Sequence, residues 1–320
     1  MTNRTSYSER VVFIPGDQID RERWDQCIEK AVNGNICGYS WFLDIMTPGW
    51  GGLVKEDYDY VMPVPVARRF GINYLLQPRF IQQCGVFGLT SPDTATVCMF
   101  LNALPNEIDV IDYHFNEQNS LQSGLDIEMR TNFLLKIDKT YEKLKLSYNN
   151  NLLRKLRKSV HSGFHIIKNN NPEPLIKLFR EVNGRRFSFL KDPDFRKLDM
   201  VIHACIHRNK AQVWSVYNSE NDLCGGAIWL FSHGRAVLYF SVQAKNEKAS
   251  DALAWLIDSF IKENASTGIL LDFEGSVHPG LARFYGSFGS EAHFYPRIKI
   301  NHLSPFVKFI YSFYRKLTKD

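Results

Sequence analysis

The sequence predicts an α/β fold, a mixed sheet with helices packed on it, divided between two domains. From residue 163 onward, apolar runs and helical stripes follow one another in the order β-α-α-β-β-β-α-β-α-β. Within that order Ile269, Leu270 and Leu271 form a short apolar run, the mark of a strand covered on both faces, and it ends in Asp272-Phe273-Glu274. A chain of 320 residues with 44% hydrophobic content has the material for two cores.

In the first half, residues 11–14 read as a strand ended by Pro15-Gly16. Residues 19–32 read as a helix with Trp24, Cys27, Ile28 and Ala31 on one face, closed by Asn33-Gly34. Residues 39–46 suggest a shorter helix. A hairpin follows, with strand 52–54, turn 55–57 and return 58–66, in which Pro63 and Pro65 imply an edge or bulged position. Residues 74–76 are a strand candidate, and Gln77-Pro78-Arg79 leads into 80–87. Residues 93–104 read as a helix, and 108–113 and 132–137 as strands.

Residues 141–162 form a junction whose second part, 152–160, reads as a helix opened by Asn149-Asn150-Asn151. Lys143, Lys145, Arg154, Lys155, Arg157 and Lys158 crowd into it, either as a solvated charged face or as a contact for phosphates. Beyond it come a strand at 164–168, helices at 175–187 and 195–209, and strands at 212–217, 227–231 and 236–243 joined by polar turns. Helix 251–263 carries the apolar stripe Leu253, Leu256, Ile257, Phe260 and Ile261. After the Ile269 strand, Gly275 and Ser276 break the run. Pro279 suits a first helical turn, and Leu281, Phe284, Tyr285 and Phe288 recur at helical spacing before Gly289. A strand at 292–300 precedes a tail in which Phe306, Phe309, Ile310, Phe313 and Leu317 share a stripe among basic residues. Such a helix either docks on its own protein or lies on an acidic membrane surface.

Two carboxylates at the end of an apolar strand are costly to desolvate, so Asp272 and Glu274 must meet water, a partner or a substrate. They suit a general base for an amine, or the acid and base of a glycoside hydrolase, although the repeated β-α units of a hydrolase barrel are missing. A structural alternative has both capping the next turn or pairing with Arg283. His203 and His207 stand at i, i+4, but Ala204 replaces the glutamate of H-E-x-x-H and no third ligand is evident, so no metal site is expected. Gln77, Arg79, Gln82 and Gln83 cluster among Tyr74, Phe80 and Phe87, a mix that suits a polar ligand or a polar loop beside a core.

The string Asp272-Phe273-Glu274-Gly275-Ser276, followed by Phe284-Tyr285-x-x-Phe288-Gly289, resembles the last strand and helix of GNAT-type acyltransferases. It also resembles the FemXAB aminoacyltransferases and their BioF2-like acetyltransferase relatives, which are two GNAT folds in tandem. The resemblance is clearest over residues 147–301. It implies a degenerate GNAT-like domain at 1–140 as acceptor platform, the basic junction 141–162, a better preserved GNAT-like domain at 163–303 and a C-terminal helix at 304–320. It further implies transfer of an acyl or aminoacyl group, from acyl-CoA or aminoacyl-tRNA, to an amine of a polar acceptor such as a cell-envelope precursor. Acyl-CoA would be a co-substrate, with no tightly bound cofactor.

On this resemblance Glu274, with Asp272 as second choice, deprotonates the amine, and Tyr285 protonates the leaving group. In the peptidyltransferases a lysine often follows the aromatic; Tyr285 in that place turns the expectation toward the plainer acyltransferase pattern. Backbone amides near Tyr239 and Ser241 would hold the oxyanion. Donor phosphates would meet the loop Gln243-Ala244-Lys245-Asn246-Glu247-Lys248, set against the family pattern Gln/Arg-x-x-Gly-x-Gly/Ala. Gln243 fits it, Asn246 and Lys248 take the small-residue places, Lys245 and Lys248 offer charge instead, and Asp251 opposes an anion. Gln77, Arg79, Gln82, Gln83, Arg154 and Arg157 would form the acceptor side. The competing reading is a non-catalytic scaffold that binds an envelope precursor or a membrane surface.

A net charge of +5, from 39 basic and 34 acidic residues, suits anionic ligands and is too mild for a dedicated DNA-binding protein. Cys27, Cys37, Cys84, Cys98, Cys205 and Cys224 show no C-x-x-C pairing, and most lie beside apolar residues, as reduced thiols do. The N-terminus lacks an apolar core of the signal-peptide type. No apolar run approaches the roughly 20 residues of a membrane span, so a soluble, cytoplasmic protein is expected.

Overall fold

The computed structural model describes residues 10–275 and 278–303, so the tail helix expected at 304–320, and Ser276, lie outside the described residues. The strands are β1 (Val12–Ile14), β2 (Gly51–Lys55), β3 (Tyr60–Val64), β4 (Val66–Arg69), β5 (Ile72–Leu76), β6 (Phe87–Gly88) and β7 (Val110–His114). After them come β8 (Ile127–Ile137), β9 (His165–Asn169), β10 (Ala211–Tyr217), β11 (Leu223–Ser232), β12 (Arg235–Gln243), β13 (Ile269–Asp272) and β14 (Glu291–Asn301). The helices are α1 (Arg21–Lys30), α2 (Ser40–Met46), α3 (Thr94–Asn102), α4 (Tyr141–Lys145) and α5 (Asn150–Ser159). The later ones are α6 (Glu173–Asn183), α7 (Asp192–His207), α8 (Ala252–Glu263) and α9 (Pro279–Gly286). Two compact units result: the described parts of 1–33, 47–129 and 295–320 form unit 1, and 34–46 with 130–294 form unit 2.

Unit 1 contains a sheet in the order β1-β2-β3-β6, and a second array in which β4, β5, β7 and the 297–301 part of β14 follow one another. The return strand expected at 58–66 is split: Pro65 separates β3 from β4, which join different arrays. Pro63 pairs with Gly52, but β6 reaches only Tyr60 and Val61, so the proline has a strand partner on one side only. Asp20 and Asp93 cap α1 and α3 through the amides of Arg23 and Thr96.

Unit 2 is a sheet in the order β8-β13-β12-β11-β10-β9, antiparallel throughout except for the β12–β13 pair. Helices α5 and α8 cover one face, where Trp229 stacks on Phe260 with ring centroids 3.9 Å apart beside Trp214. From the opposite face Phe240 meets Phe179 of α6 at 4.9 Å, and Tyr239 meets Phe42 of α2 at 6.2 Å. Helix α2 also packs on α7, with Lys197 Nζ donating to Met46 O and Arg208 lying 4.4 Å above the Trp41 ring. These contacts place 34–46 in unit 2, and the pairing of β8 with β13 does the same for 130–137; the sequence boundary at residue 140 captured neither. Asn149 caps α5 through Leu152 N, and Gly289, with φ +77°, sits so close to Ser147 that a Cβ would collide with it.

Candidate active site

Strands β12 and β13 run parallel but pair only over Arg235–Val237 and Leu270–Asp272. Strand β13 ends there, still paired through Asp272, whereas β12 continues beside β11 to Gln243, so the C-terminal part of β12 extends past β13 on the usual ligand side of parallel strands. The β11–β12 register shifts: Ile228 faces Phe240 and Trp229 faces Leu238, which leaves Tyr239 as the extra residue of a β-bulge. A bulge interrupts the ladder, and it falls in the stretch whose amides the sequence assigned to an oxyanion.

Asp272 is buried and fully engaged. Its Oδ1 accepts from Asn132 Nδ2 at 3.0 Å and from Glu274 N at 2.8 Å, and its Oδ2 accepts from Arg235 Nη1 at 2.8 Å. The carboxylate caps the next turn, as the structural alternative had it, but its cation is Arg235 and not Arg283. Glu274 then adopts φ +52°, a left-handed conformation that costs a residue with a Cβ roughly 1–2 kcal/mol, and Gly275 follows at +51°. The bond from its amide to Asp272 helps to hold this bend. Burial, and after it the Asp272 charge, pushes the Glu274 carboxyl well above the usual carboxylate range.

Helix α9 starts at Pro279, with His278 Nδ1 accepting from Gly280 N, and it presents Tyr285. The Tyr285 ring stacks on Phe273 at 4.8 Å with 27° between planes, so the strand tip and the helix fix each other. Burial, and after it the Glu274 charge, raises its hydroxyl to about 12, so Tyr285 is protonated at neutral pH and can donate. Tyr285 and Leu281 open on a cavity of about 800 Å³ within unit 2, also walled by Ser241, Gln243, Leu253, Phe179 and Phe187. Lys158, Arg186 and Lys245 bring positive charge to it, and Glu247 negative. Its size and mixed lining suit a small-molecule ligand.

The residues named for the donor divide. Ser241, Gln243 and Lys245 line the cavity, while the Gln243 side chain also accepts from Leu253 N at 3.0 Å and Lys245 Nζ donates to Val182 O at 2.6 Å. Lys248 is paired with Glu220 at 2.5 Å, and Asp251 with Lys155 at 3.1 Å. Tyr239 is buried, with its hydroxyl unpartnered among the described residues, and burial raises its pKa well above the usual tyrosine value.

The residues named for the acceptor lie in different units: Gln77, Arg79, Gln82 and Gln83 in unit 1, Arg154 and Arg157 in unit 2. Gln77 bridges Ile81 O and His114 N, and Gln83 bridges Gln82 Oε1 and Glu117 N, so these amides brace their own loop. Arg154 and Arg157 are exposed on α5, bonded to Asn151 and to Leu153 O. His203 lies 3.6 Å from Asp199, and no group of three metal-ligating side chains occurs among the described residues. All six cysteines are free thiols, and burial pushes Cys27, Cys84 and Cys205 up to about 12. Among the described residues no helix is long and apolar enough to cross a membrane.

Sequence reasoning missed Arg235, Asn132, Phe179 and Arg186. Arg235 could be found only from the parallel register, but the basic pair Arg185-Arg186 beside Phe187 and Phe189 was a visible signal.

The parallel strand pair, the bulge and the helix that carries Tyr285 are arranged as in a GNAT-like fold. Neither a protein-family profile nor a curated protein matches the chain. Solved structures do. FemX aligns with a TM-score of 0.63 at 12% identity, over 87% of this chain and 96% of that one. L-PGS from Bacillus licheniformis aligns at 0.54 and 11%, over 87% and 91%. A tandem GNAT protein from the clavulanic acid biosynthesis pathway aligns at 0.50 and 9%, over 92% and 99%. The chain therefore has a FemXAB/GNAT-like fold, in agreement with the sequence resemblance.

Proposed function

We propose that the protein is an N-acyltransferase that moves an acyl group from a thioester in the unit 2 cavity to an amine of a polar acceptor. The observation that carries this reading is the meeting of Tyr285 and the end of β12 at one cavity, with the raised carboxyl of Glu274 electrostatically coupled to Tyr285. The amine nitrogen attacks the thioester carbonyl while Glu274 takes its proton, and amides of the Tyr239 bulge stabilise the oxyanion. The C–S bond then breaks as Tyr285 donates to the sulfur. A proton returns from Glu274 to Tyr285 through solvent. Asp272 holds the Glu274 bend and does not itself move protons. The tyrosine, where a lysine would mark the peptidyltransferases, favours a thioester over aminoacyl-tRNA.

The test is thiol release from a panel of thioesters with amine acceptors, run beside aminoacyl-tRNA. Thiol release that depends on the acceptor and falls with Tyr285→Phe is expected. Transfer from aminoacyl-tRNA alone would overturn the thioester assignment. Binding of thioesters without transfer would favour the non-catalytic scaffold.

A further inference from the structure

Four backbone amides of the 243–253 segment that could face a diphosphate are engaged within the protein. Ala244 N donates to Cys224 O at 2.9 Å, Ala249 N to the Asn246 side chain at 2.8 Å, Ser250 N to Glu247 O at 3.1 Å, and Leu253 N to the Gln243 side chain at 3.0 Å. One carboxylate adds to the obstacle: Glu247 lines the cavity, whereas Asp251, at the N-cap of α8, is paired with Lys155. A diphosphate, as in coenzyme A, would find these four amides already taken and the Glu247 carboxylate in the cavity wall. The cavity offers three cationic side chains instead: Lys158 from α5, Arg186 from the turn after α6, and Lys245. That set suits a single phosphodiester held by side chains.

Two of these cations belong to segments that continue onto the surface beside the cavity. Arg154, Arg157 and Lys158 are exposed on α5 and are followed by Val160, 73% exposed. Arg185 and Arg186 are exposed and lead through Phe187 in the cavity wall to Phe189, 54% exposed. Basic groups interleaved with exposed apolar ones complement an acidic protein surface that carries apolar side chains.

We infer that the donor is a thioester on the phosphopantetheine arm of a small acidic carrier protein. The arm enters the cavity, its phosphodiester meets Lys158, Arg186 and Lys245, and the carrier rests on Arg154, Arg157 and Arg185 beside Val160 and Phe189. This rests on the acyltransfer reading above, with the same balance of bonds: C–N forms, C–S breaks, Glu274 takes the amine proton and Tyr285 supplies one to the sulfur. The thiol stays on the arm, so the carrier departs in its free, unacylated form.

The experiment compares acyl-CoA with an acyl carrier protein of the fatty-acid synthesis type loaded with the same acyl group. Expected is a kcat/KM about 100-fold higher for the carrier, falling about 10-fold between low and near-physiological salt as surface charges are screened. Arg185→Glu should lower kcat/KM for the carrier about 10-fold, more than it lowers the rate with acyl-pantetheine phosphate, and Arg185→Lys should restore most of it. Equal or better use of acyl-CoA overturns the inference and leaves the acyltransferase reading standing; no transfer from either thioester overturns both. If Arg185→Glu instead abolishes binding to tRNA or to vesicles of anionic phospholipid, with carrier-borne donors turned over no better than acyl-CoA, the face serves that other surface and the inference fails.

Discussion

Arg235→Met tests whether Asp272 is the anchor of the Glu274 bend. The substitution removes a cation 2.8 Å from Asp272 Oδ2, where the carboxylate side chain is 6% exposed and the arginine side chain 21%. Breaking a fully buried pair costs about 3–5 kcal/mol. Partial exposure of Arg235, and the bonds from Asn132 and Glu274 N that remain on Oδ1, reduce the expected cost to about 2–3 kcal/mol. For a unit in the range of about 150–250 residues this lowers Tm by about 4–12 °C. Thermal and urea melts of the parent, Arg235→Met, Asp272→Asn and the double variant close a cycle, in which a coupling of about 1.5 kcal/mol or more is expected. A coupling below about 0.5 kcal/mol, the level of an exposed pair, would refute the anchoring role.

Tyr285→Phe keeps the ring stacked on Phe273 and removes only the hydroxyl, so steady-state kinetics should show kcat lowered about 10²-fold to 10⁴-fold with donor KM nearly unchanged. Glu274 has a raised pKa in the folded protein, so its ionisation opposes folding. The stability it allows is complete below the ordinary glutamate value of 4.5 and declines as pH rises through the raised folded value. Glu274→Gln should therefore melt above the parent at about pH 8 and lose that advantage at about pH 4, and an equal difference at both would refute the shift. Gly289→Ala combines φ +77° with a Cβ against Ser147 and should cost about 2 kcal/mol or more in urea melts, whereas Gly234→Ala, at φ +68° with open space around it, should cost less.

Much of unit 2 was legible because its signals are local. Asn149 marks the start of α5, Pro279 that of α9, and the run Ile269 to Leu271 reads as a buried strand wherever it lies in a sheet. What stayed hidden depends on partners distant in sequence. Arg235 reaches Asp272 only because β12 and β13 are parallel in one particular register, and Asn132 arrives from β8 on the other side. Gln243 matched a donor-loop pattern, yet its side chain caps α8, since Leu253 N is the nearer claim on its oxygen. The bulge at Tyr239 arises from a mismatch between two strands, which neither strand's composition reveals. Residues 34–46 were assigned by proximity in sequence, whereas packing on α7 and β12 decided their unit.

The role of Glu274 as the base is tested most directly by the pH dependence of single-turnover acyl transfer, measured with donor saturating and chemistry limiting. The account predicts a rate that rises with pH along one apparent pKa well above that of an ordinary glutamate, and a Glu274→Gln variant that is slower by about 10²-fold to 10⁴-fold and has lost this limb. A Glu274→Gln protein that keeps the parent's rate and pH profile would contradict it.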